Sequence, residues 1–180
     1  MRALGIDHGK RTGWGVIENG VYRTHGSFEL EGTYENRLLQ FETKVTLLID
    51  NIRPDVICIE IPHDMTNGRT SMILIGYYTI LLLAAFKKAV DVIQVHPTSM
   101  KKLVTGSGKA ERDDVALAIS ILLGIEVNEI RRPVLYAKKE GVKNYLYDEA
   151  DALALAYWGT IETIKEGELD VKEKNTSKKS

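Results

Sequence analysis

Apolar residues along the chain fall into runs whose spacing alternates between strand and helix periods. Arg2 to Asp7 reads as a short strand that closes on Asp7. Thr12–Glu18 and Val21–Phe28 are rich in β-branched and aromatic residues and are joined by Asn19-Gly20. That dipeptide between two strand patterns predicts a hairpin with a type I′ turn, because it accepts two consecutive positive φ angles. Tyr34, Leu38, Phe41, Val45, Leu48 and Ile52 recur at steps of three and four, predicting a helix that Pro54-Asp55 ends. Val56–Ile61 is apolar except at Glu60, the pattern of a strand covered on both faces. Met72–Phe86, interrupted by Gly76, Tyr77, Tyr78 and Thr79, is shorter than the roughly 20 residues of a membrane span and predicts a buried helix.

Val90–Val95 then reads as another strand, and Pro97 opens a short basic helix that leads to the loop Gly106-Ser107-Gly108. The next helix is expected to turn Val115, Ile119, Leu122 and Leu123 to one side. Residues 126–146 follow neither period and are basic. Glu149 to about Glu166 is an alanine- and leucine-rich final helix, and the polar composition from Gly167 onward predicts a disordered charged tail over 167–180. A three-strand meander followed by alternating helices and strands is an α/β order. Right-handed crossovers place the fourth strand beside the first, giving a five-stranded mixed sheet of order 3-2-1-4-5 with helices on both faces. That arrangement is the ribonuclease H-like fold, expected here over residues 1–166, and it sets the carboxyl ends of the first and fourth strands side by side.

The chain has 180 residues, 44% hydrophobic and 27% charged, which suits one soluble domain with a sizeable core. Its single cysteine, Cys58, lies in an apolar run and has no partner within the chain. A cytoplasmic or other reducing compartment is therefore expected, and the N-terminus shows no signal-peptide pattern. The net charge of −1 conceals an uneven distribution. Residues 87–143 hold eleven Lys/Arg against seven Asp/Glu, while both flanks are acidic. A basic middle permits a polyanionic partner and equally suits a solvated charged face.

Asp7 and Glu60 each follow an apolar run near a strand end. A carboxylate beside a buried strand is costly unless something compensates it. Asp7 could cap the turn at His8-Gly9 and Glu60 could pair with a core arginine, but adjoining strand ends make a shared role the better reading of the two together. Asp148 and Asp151 stand three apart at the start of the last helix and so share a face. Acidic residues in a first turn favour the helix dipole, which accounts for Asp148 and Glu149 better than for Asp151 among its alanines and leucines. Small alanines would let this helix approach the sheet closely. Carboxylates gathered in this way repel one another without cations, and their hard oxygens suit Mg²⁺, with Mn²⁺ as a substitute. Two ions roughly 4 Å apart serve phosphodiester cleavage. No His/Cys pattern points to zinc, and no Walker-type loop or dinucleotide fingerprint points to a nucleotide cofactor.

Four segments taken in order resemble the RuvC family of Holliday-junction resolvases over nearly all of residues 2–160. They are Leu4-Gly5-Ile6-Asp7-His8-Gly9 with Thr12-Gly13-Trp14-Gly15-Val16-Ile17, then Ile57-Cys58-Ile59-Glu60, the basic stretch Met100 to Arg112, and Asp148-Glu149-Ala150-Asp151-Ala152-Leu153-Ala154. The resemblance implies metal-binding catalytic residues Asp7, Glu60, Asp148 and Asp151, two Mg²⁺ ions, and a homodimer cutting opposed strands of a four-way DNA junction. It also implies that Lys101 and Arg112 contact the backbone at the cleavage site, with Lys102 and Lys109 as weaker candidates. Three features depart from the bacterial pattern. The turn from Asp7 to Gly13 is one residue shorter, and residues 126–146, with Arg131, Arg132, Lys138, Lys139 and Lys143, are longer. His63 stands near where bacterial members place an aromatic that enters the junction, so it is a candidate DNA contact.

Rival readings are a YqgF-like nuclease acting on structured RNA, a non-catalytic junction-binding scaffold, and an actin-like or sugar-kinase domain. Glu60 and the Lys101–Arg112 stretch favour the junction nuclease over the first. The four filled acidic positions argue against the second, and the third would need another domain of comparable size.

Overall fold

In the computed structural model, residues 1–62, 68–133 and 145–176 are described. Strands β1 (Arg2–Asp7), β2 (Arg11–Glu18) and β3 (Val21–Glu29) form the expected meander, followed by helix α1 (Tyr34–Ile52), strand β4 (Val56–Glu60), helix α2 (Gly68–Lys87) and strand β5 (Asp91–Val95). Helices α3 (Pro97–Thr105), α4 (Arg112–Leu123) and α5 (Val127–Ile130), a small β6 (Arg132–Pro133) and β7 (Tyr145–Leu146) pair, and helix α6 (Asp148–Thr176) complete the chain. The main sheet has the order β3-β2-β1-β4-β5, with β1 parallel to β4 and antiparallel to β2. Asn19 and Gly20 have φ angles of 52° and 77°, the pair of positive values a type I′ turn requires.

Two cores lie on the two faces of this sheet, and the two-residue period of the strands sorts side chains between them. Leu4, Ile6, Ile57 and Ile59 pack with Phe41, Val45 and Ile49 of α1 and Tyr77 and Leu81 of α2. Ala3, Val56 and Cys58 pack instead with Met100 and Val104 of α3, Val115 and Ile119 of α4, and Leu153 of α6. By the same alternation, Gly5, Asp7 and Glu60 belong to the α6 face. Capping supports the local boundaries. Thr33 accepts from the Asn36 backbone N–H at the start of α1, and Glu111 and Asp114 form a reciprocal capping box at the start of α4. Gly106, with φ 81°, and Gly124, with φ 66°, close α3 and α4 in the left-handed region.

Several details depart from the sequence-based expectation. Helix α2 is buried on one side only, since Met72, Leu83 and Phe86 are exposed. In α4, Leu122 is exposed, and Ala116 and Ser120 share the buried side with Val115 and Ile119. Residues 126–146 begin with the single-turn α5 and contribute the β6–β7 pair. The helical backbone of α6 continues to Thr176, so residues 167–176 are helical where composition predicts a disordered tail. Lys and Glu are good helix formers, and a helix already nucleated against the sheet is extended at little cost. Among the described residues, no helix is long and apolar enough to cross a membrane.

The contact that sets the architecture is α6 on the sheet. A Cβ at Gly5 would overlap the Ala152 carbonyl oxygen, one at Gly13 the Asp148 carbonyl, and one at Gly15 the Leu153 side chain. On the helix side, a Cβ at Gly159 would meet the Cys58 sulfur. Backbone cannot yield as a flexible side-chain end can, so Gly5→Ala should destabilise the fold by about 3 kcal/mol or more in denaturant unfolding. Gly20→Asn is the matched comparison, because nothing surrounds that turn position and Asn tolerates its backbone. It should cost no more than about 1 kcal/mol.

Candidate active site

The parallel register of β1 and β4 pairs Ile6 with Ile59, so the next residues along, Asp7 and Glu60, stand at adjoining strand ends. Both point to the α6 face, toward Asp148 and Asp151 in the first turn of that helix. A cleft of about 300 Å³ opens there, lined by Asp7, Glu60, Asp148, His8, Arg11 and Arg112, with Pro62 and Pro97 at its margin. A larger depression of about 510 Å³ lies elsewhere, between α3 and α4. It has an apolar floor that includes Val104, Leu117 and Ile121 and none of the four carboxylates.

The acidic groups perturb one another strongly. Burial raises the Asp7 pKa well above the usual carboxylate range, and the charges of Asp151, Glu60 and Asp148 raise it further against the opposing pull of Arg112. Glu60 is raised to about 7, chiefly by burial and then by Asp151, with Arg112 and Lys101 opposing. Asp151 is raised to about 6 by burial, opposed by Arg112 and Lys101 and reinforced by Asp148. Neither cap nor core arginine explains the strand-end pair, because no hydrogen bond or ion pair joins the side chain of Asp7 or Glu60 to another described residue.

Cations border the cluster from three elements. Arg11 Nε of β2 donates to Asp148 Oδ2 at 2.8 Å. Arg112 Nε, at the start of α4, is 4.0 Å from Asp151 Oδ2, and its side chain is 65% exposed, which leaves it accessible to a substrate. Lys101 Nζ of α3 donates to the Ala110 carbonyl at 2.9 Å, tying the loop before α4 to the helix before it. No three His, Cys, Asp or Glu side chains among the described residues are close enough to hold an ion as they stand. Unneutralised carboxylates spread apart, and Arg11 holds one of these four. Their chemistry nonetheless fits a hard divalent cation, with oxygen donors only, three of them raised by burial and mutual repulsion, and Asp7, Glu60 and Asp148 lining one cleft.

Of the basic residues singled out from sequence, the structure brings Arg112 and Lys101 to the acidic cluster and leaves two elsewhere. Lys102 borders a separate depression with Leu103 and Trp158, and Lys109 borders the groove between α3 and α4. Helical spacing separates them, since neighbours in a helix or around a tight turn point in different directions. Arg131 pairs with Asp113 at 2.6 Å and joins α5 to α4. His63, Lys138, Lys139 and Lys143 lie outside the described residues. Sequence reasoning missed Arg11 and His8. The signal for Arg11 was its place two residues before Gly13, which puts it on the α6 face. His8 is 8% exposed in the cleft wall beside Tyr78, and burial lowers its pKa to about 4.

The chain is similar in sequence and fold to known proteins. The family model for the crossover junction endodeoxyribonuclease RuvC matches residues 3–137. The RuvC of Frankia casuarinae is 32% identical over 164 residues, covering 87% of each chain. That of Borrelia turicatae is 30% identical over 137 residues, covering 70% of this chain and 83% of its own. Among solved structures, Thermus thermophilus RuvC superposes with a TM-score of 0.67 at 22% identity, over 87% of this chain and 92% of that one. The same protein in complex with a Holliday junction substrate gives 0.67 at 20% identity, over 87% and 90%. The yeast mitochondrial Holliday junction resolvase gives 0.62 at 13% identity, over 86% and 75%. At those identities the superpositions show a shared fold.

The raised carboxylates carry a pH dependence of stability. A folded-state pKa above the unfolded one gives stability that is complete below the unfolded value and is lost as pH rises through the folded value. For Glu60 and Asp151 that loss runs through about 7 and about 6. His8 acts in the opposite sense, losing stability as pH falls from 6.5 through about 4. Between pH 8 and 6.5 the carboxylates dominate. As pH falls across that interval, metal-free protein should therefore gain stability on the order of 1 kcal/mol, read as a melting temperature higher by roughly a few degrees. Asp7→Asn should melt higher than wild type at pH 8 and show a flatter profile.

Proposed function

The chain belongs to the RuvC family of crossover junction endodeoxyribonucleases, and from that premise we propose that it is a metal-dependent, structure-selective endonuclease that resolves four-way DNA junctions by phosphodiester hydrolysis. The observation that carries the reading is the approach of Asp7 and Glu60, from adjoining strand ends, to Asp148 and Asp151 of α6, with Asp7, Glu60 and Asp148 lining one cleft beside Arg112 and the charge of Lys101 acting on Glu60 and Asp151. On this reading the four carboxylates would hold two Mg²⁺ ions, with Mn²⁺ as a substitute. When bound, those ions supply Lewis acidity at the scissile phosphate and a more acidic water as nucleophile. The nuclease domain is residues 1–166.

The side chains of the chain itself do the rest. Asp7 and Glu60, held by paired strands, offer oxygens whose placement does not depend on a loop. Arg112 stands exposed at the start of α4, where its charge favours a phosphate. It positions the DNA backbone without reading sequence. Lys101 draws the same loop inward through Ala110 and lowers the charge around Glu60 and Asp151. Asp7→Asn and Glu60→Gln should each abolish cutting of a synthetic four-way junction in Mg²⁺ while leaving junction binding intact or tighter, since a negative charge facing phosphate is gone. Near-wild-type cleavage by Asp7→Asn would sink the assignment. Structured RNA run beside four-way, flap and linear DNA separates the RNA-nuclease alternative, and junction binding without cleavage by wild type would point to a scaffold.

Paired cuts across a junction need two sites related by a two-fold axis, and isologous dimers are the commonest way to provide them. The outer face of α2, with Met72, Leu83 and Phe86 exposed beside Leu39 of α1, supplies a suitable apolar surface. Sedimentation at micromolar concentration should show a dimer, and Phe86→Glu with Leu83→Glu should shift it to monomer. A monomeric wild type, with and without junction DNA, would remove this part of the reading.

A further inference from the structure

Behind the cleft, a chain of polar side chains crosses from the outer hairpin to the first turn of α6. Arg11 Nε donates to Asp148 Oδ2 at 2.8 Å, and Arg11 Nη2 donates to Ser27 Oγ at 2.9 Å. Ser27 Oγ donates to Glu149 Oε1 at 2.7 Å, and Glu149 Oε2 meets His25 Nε2 at 3.2 Å. His25 Nδ1 lies 2.9 Å from the Tyr22 hydroxyl. The sheet register explains why these groups meet. Gly13 pairs with Ser27 and Gly15 with His25, so Arg11, Ser27 and His25 all share the face that α6 covers. Glu149 is only 3% exposed, and a buried carboxylate in such a network is costly to leave half satisfied.

The network engages one oxygen of Asp148 through a planar, two-pronged donor that is itself anchored. An aspartate in a first helical turn otherwise samples several rotamers, and fixing one costs free energy that Arg11 has already met in the folded protein. Two effects of the guanidinium on a cation site oppose each other. Its charge disfavours a nearby metal ion, but it is partly exposed and screened by solvent. Its hydrogen bond orients a donor, and partners of this kind commonly change metal affinity or activity about 10–100-fold. Orientation outweighs repulsion.

We propose that Arg11 is a positioning residue for Asp148, clamped by Ser27 and, through it, by the buried Glu149–His25 pair, so that the acidic cleft gathers its oxygen donors when a divalent cation arrives. This rests on reading the cleft as a metal-dependent nuclease site. Mn²⁺ binding to DNA-free protein, followed by electron paramagnetic resonance, is the direct test. Single-turnover cleavage and metal-free junction affinity are measured alongside it. Arg11→Ala should weaken Mn²⁺ binding and slow cleavage, each by about 10–100-fold, with junction affinity and its salt dependence unchanged. Arg11→Lys should restore part of both. Ser27→Ala, which leaves the Arg11–Asp148 pair in place, should show a smaller loss in the same direction, and it stands in if Arg11→Ala does not fold. Unchanged or tighter Mn²⁺ binding by the folded variants would make Arg11 a mere counter-charge and overturn the proposal. Weaker junction binding with a salt slope reduced by about 0.9 and intact Mn²⁺ binding would make it a phosphate contact and do the same. Wild type that binds Mn²⁺ yet cuts no junction, with Arg11→Ala still impaired in Mn²⁺ binding, would overturn the nuclease reading and uphold the role of Arg11.

Discussion

The backbone of α6 rests directly on the sheet because Gly5, Gly13 and Gly15 withhold side chains from the face it crosses, and Gly159 does the same from the helix side over Cys58. With larger residues the helix would ride higher on the sheet. Asp148 and Asp151 would then leave the strand ends where Asp7 and Glu60 stand. Close packing of backbone against backbone is stiff, as neither partner can change rotamer to relieve a shift. The same contact therefore stabilises one of the two cores and fixes the relative position of the acidic pairs. Preorganised sites need this kind of support from rigid elements.

Gathering carboxylates at one place works against folding, and the structure offsets it from several directions. Arg112 and Lys101 approach from α4 and α3, and Arg11 from β2. Each comes from a separate element, so the compensation is complete only when the sheet, both helices and the loop tied by Lys101 to Ala110 are assembled. Burial remains the largest influence on Asp7, Glu60 and Asp151, and the cations reduce the strain on them without removing it. On the proposed reading, the residual repulsion favours binding of a divalent cation. A site that is uncomfortable when empty of positive charge gains the more when a hard cation supplies it.

Much of this was legible in the linear pattern. The strands from Arg2 to Glu29, the Asn19-Gly20 turn, α1 and β4 follow from local periodicity and turn chemistry, which act over a few residues. Asp7, Glu60, Asp148 and Asp151 stood out because charge at the end of an apolar run, or among alanines, needs an explanation even in one dimension. Where periodicity misled, the cause was tertiary. Leu122 of α4 and Phe86 of α2 are as apolar as their buried neighbours, and only the position of the packed layer decides which side faces outward.

Arg11 shows the division most plainly. Its alternation with Gly13 fixes which face of the sheet it occupies, and that much is written in the sequence. Its partner Asp148 lies 137 residues away, and its clamp through Ser27 and Glu149 spans β2, β3 and α6. Lys101, Lys102, Lys109 and Arg112 read alike as a basic stretch, yet the turn of α3 and the loop before α4 send only the first and last toward the acidic cluster. By itself, then, the sequence determined the elements, their order, and the four carboxylates set at strand and helix ends, because short-range periodicity and the cost of isolated charge are local properties. Only the tertiary structure decided which cations meet those carboxylates, because that depends on distances between elements far apart in the chain, set by how closely α6 can lie on the glycines beneath it.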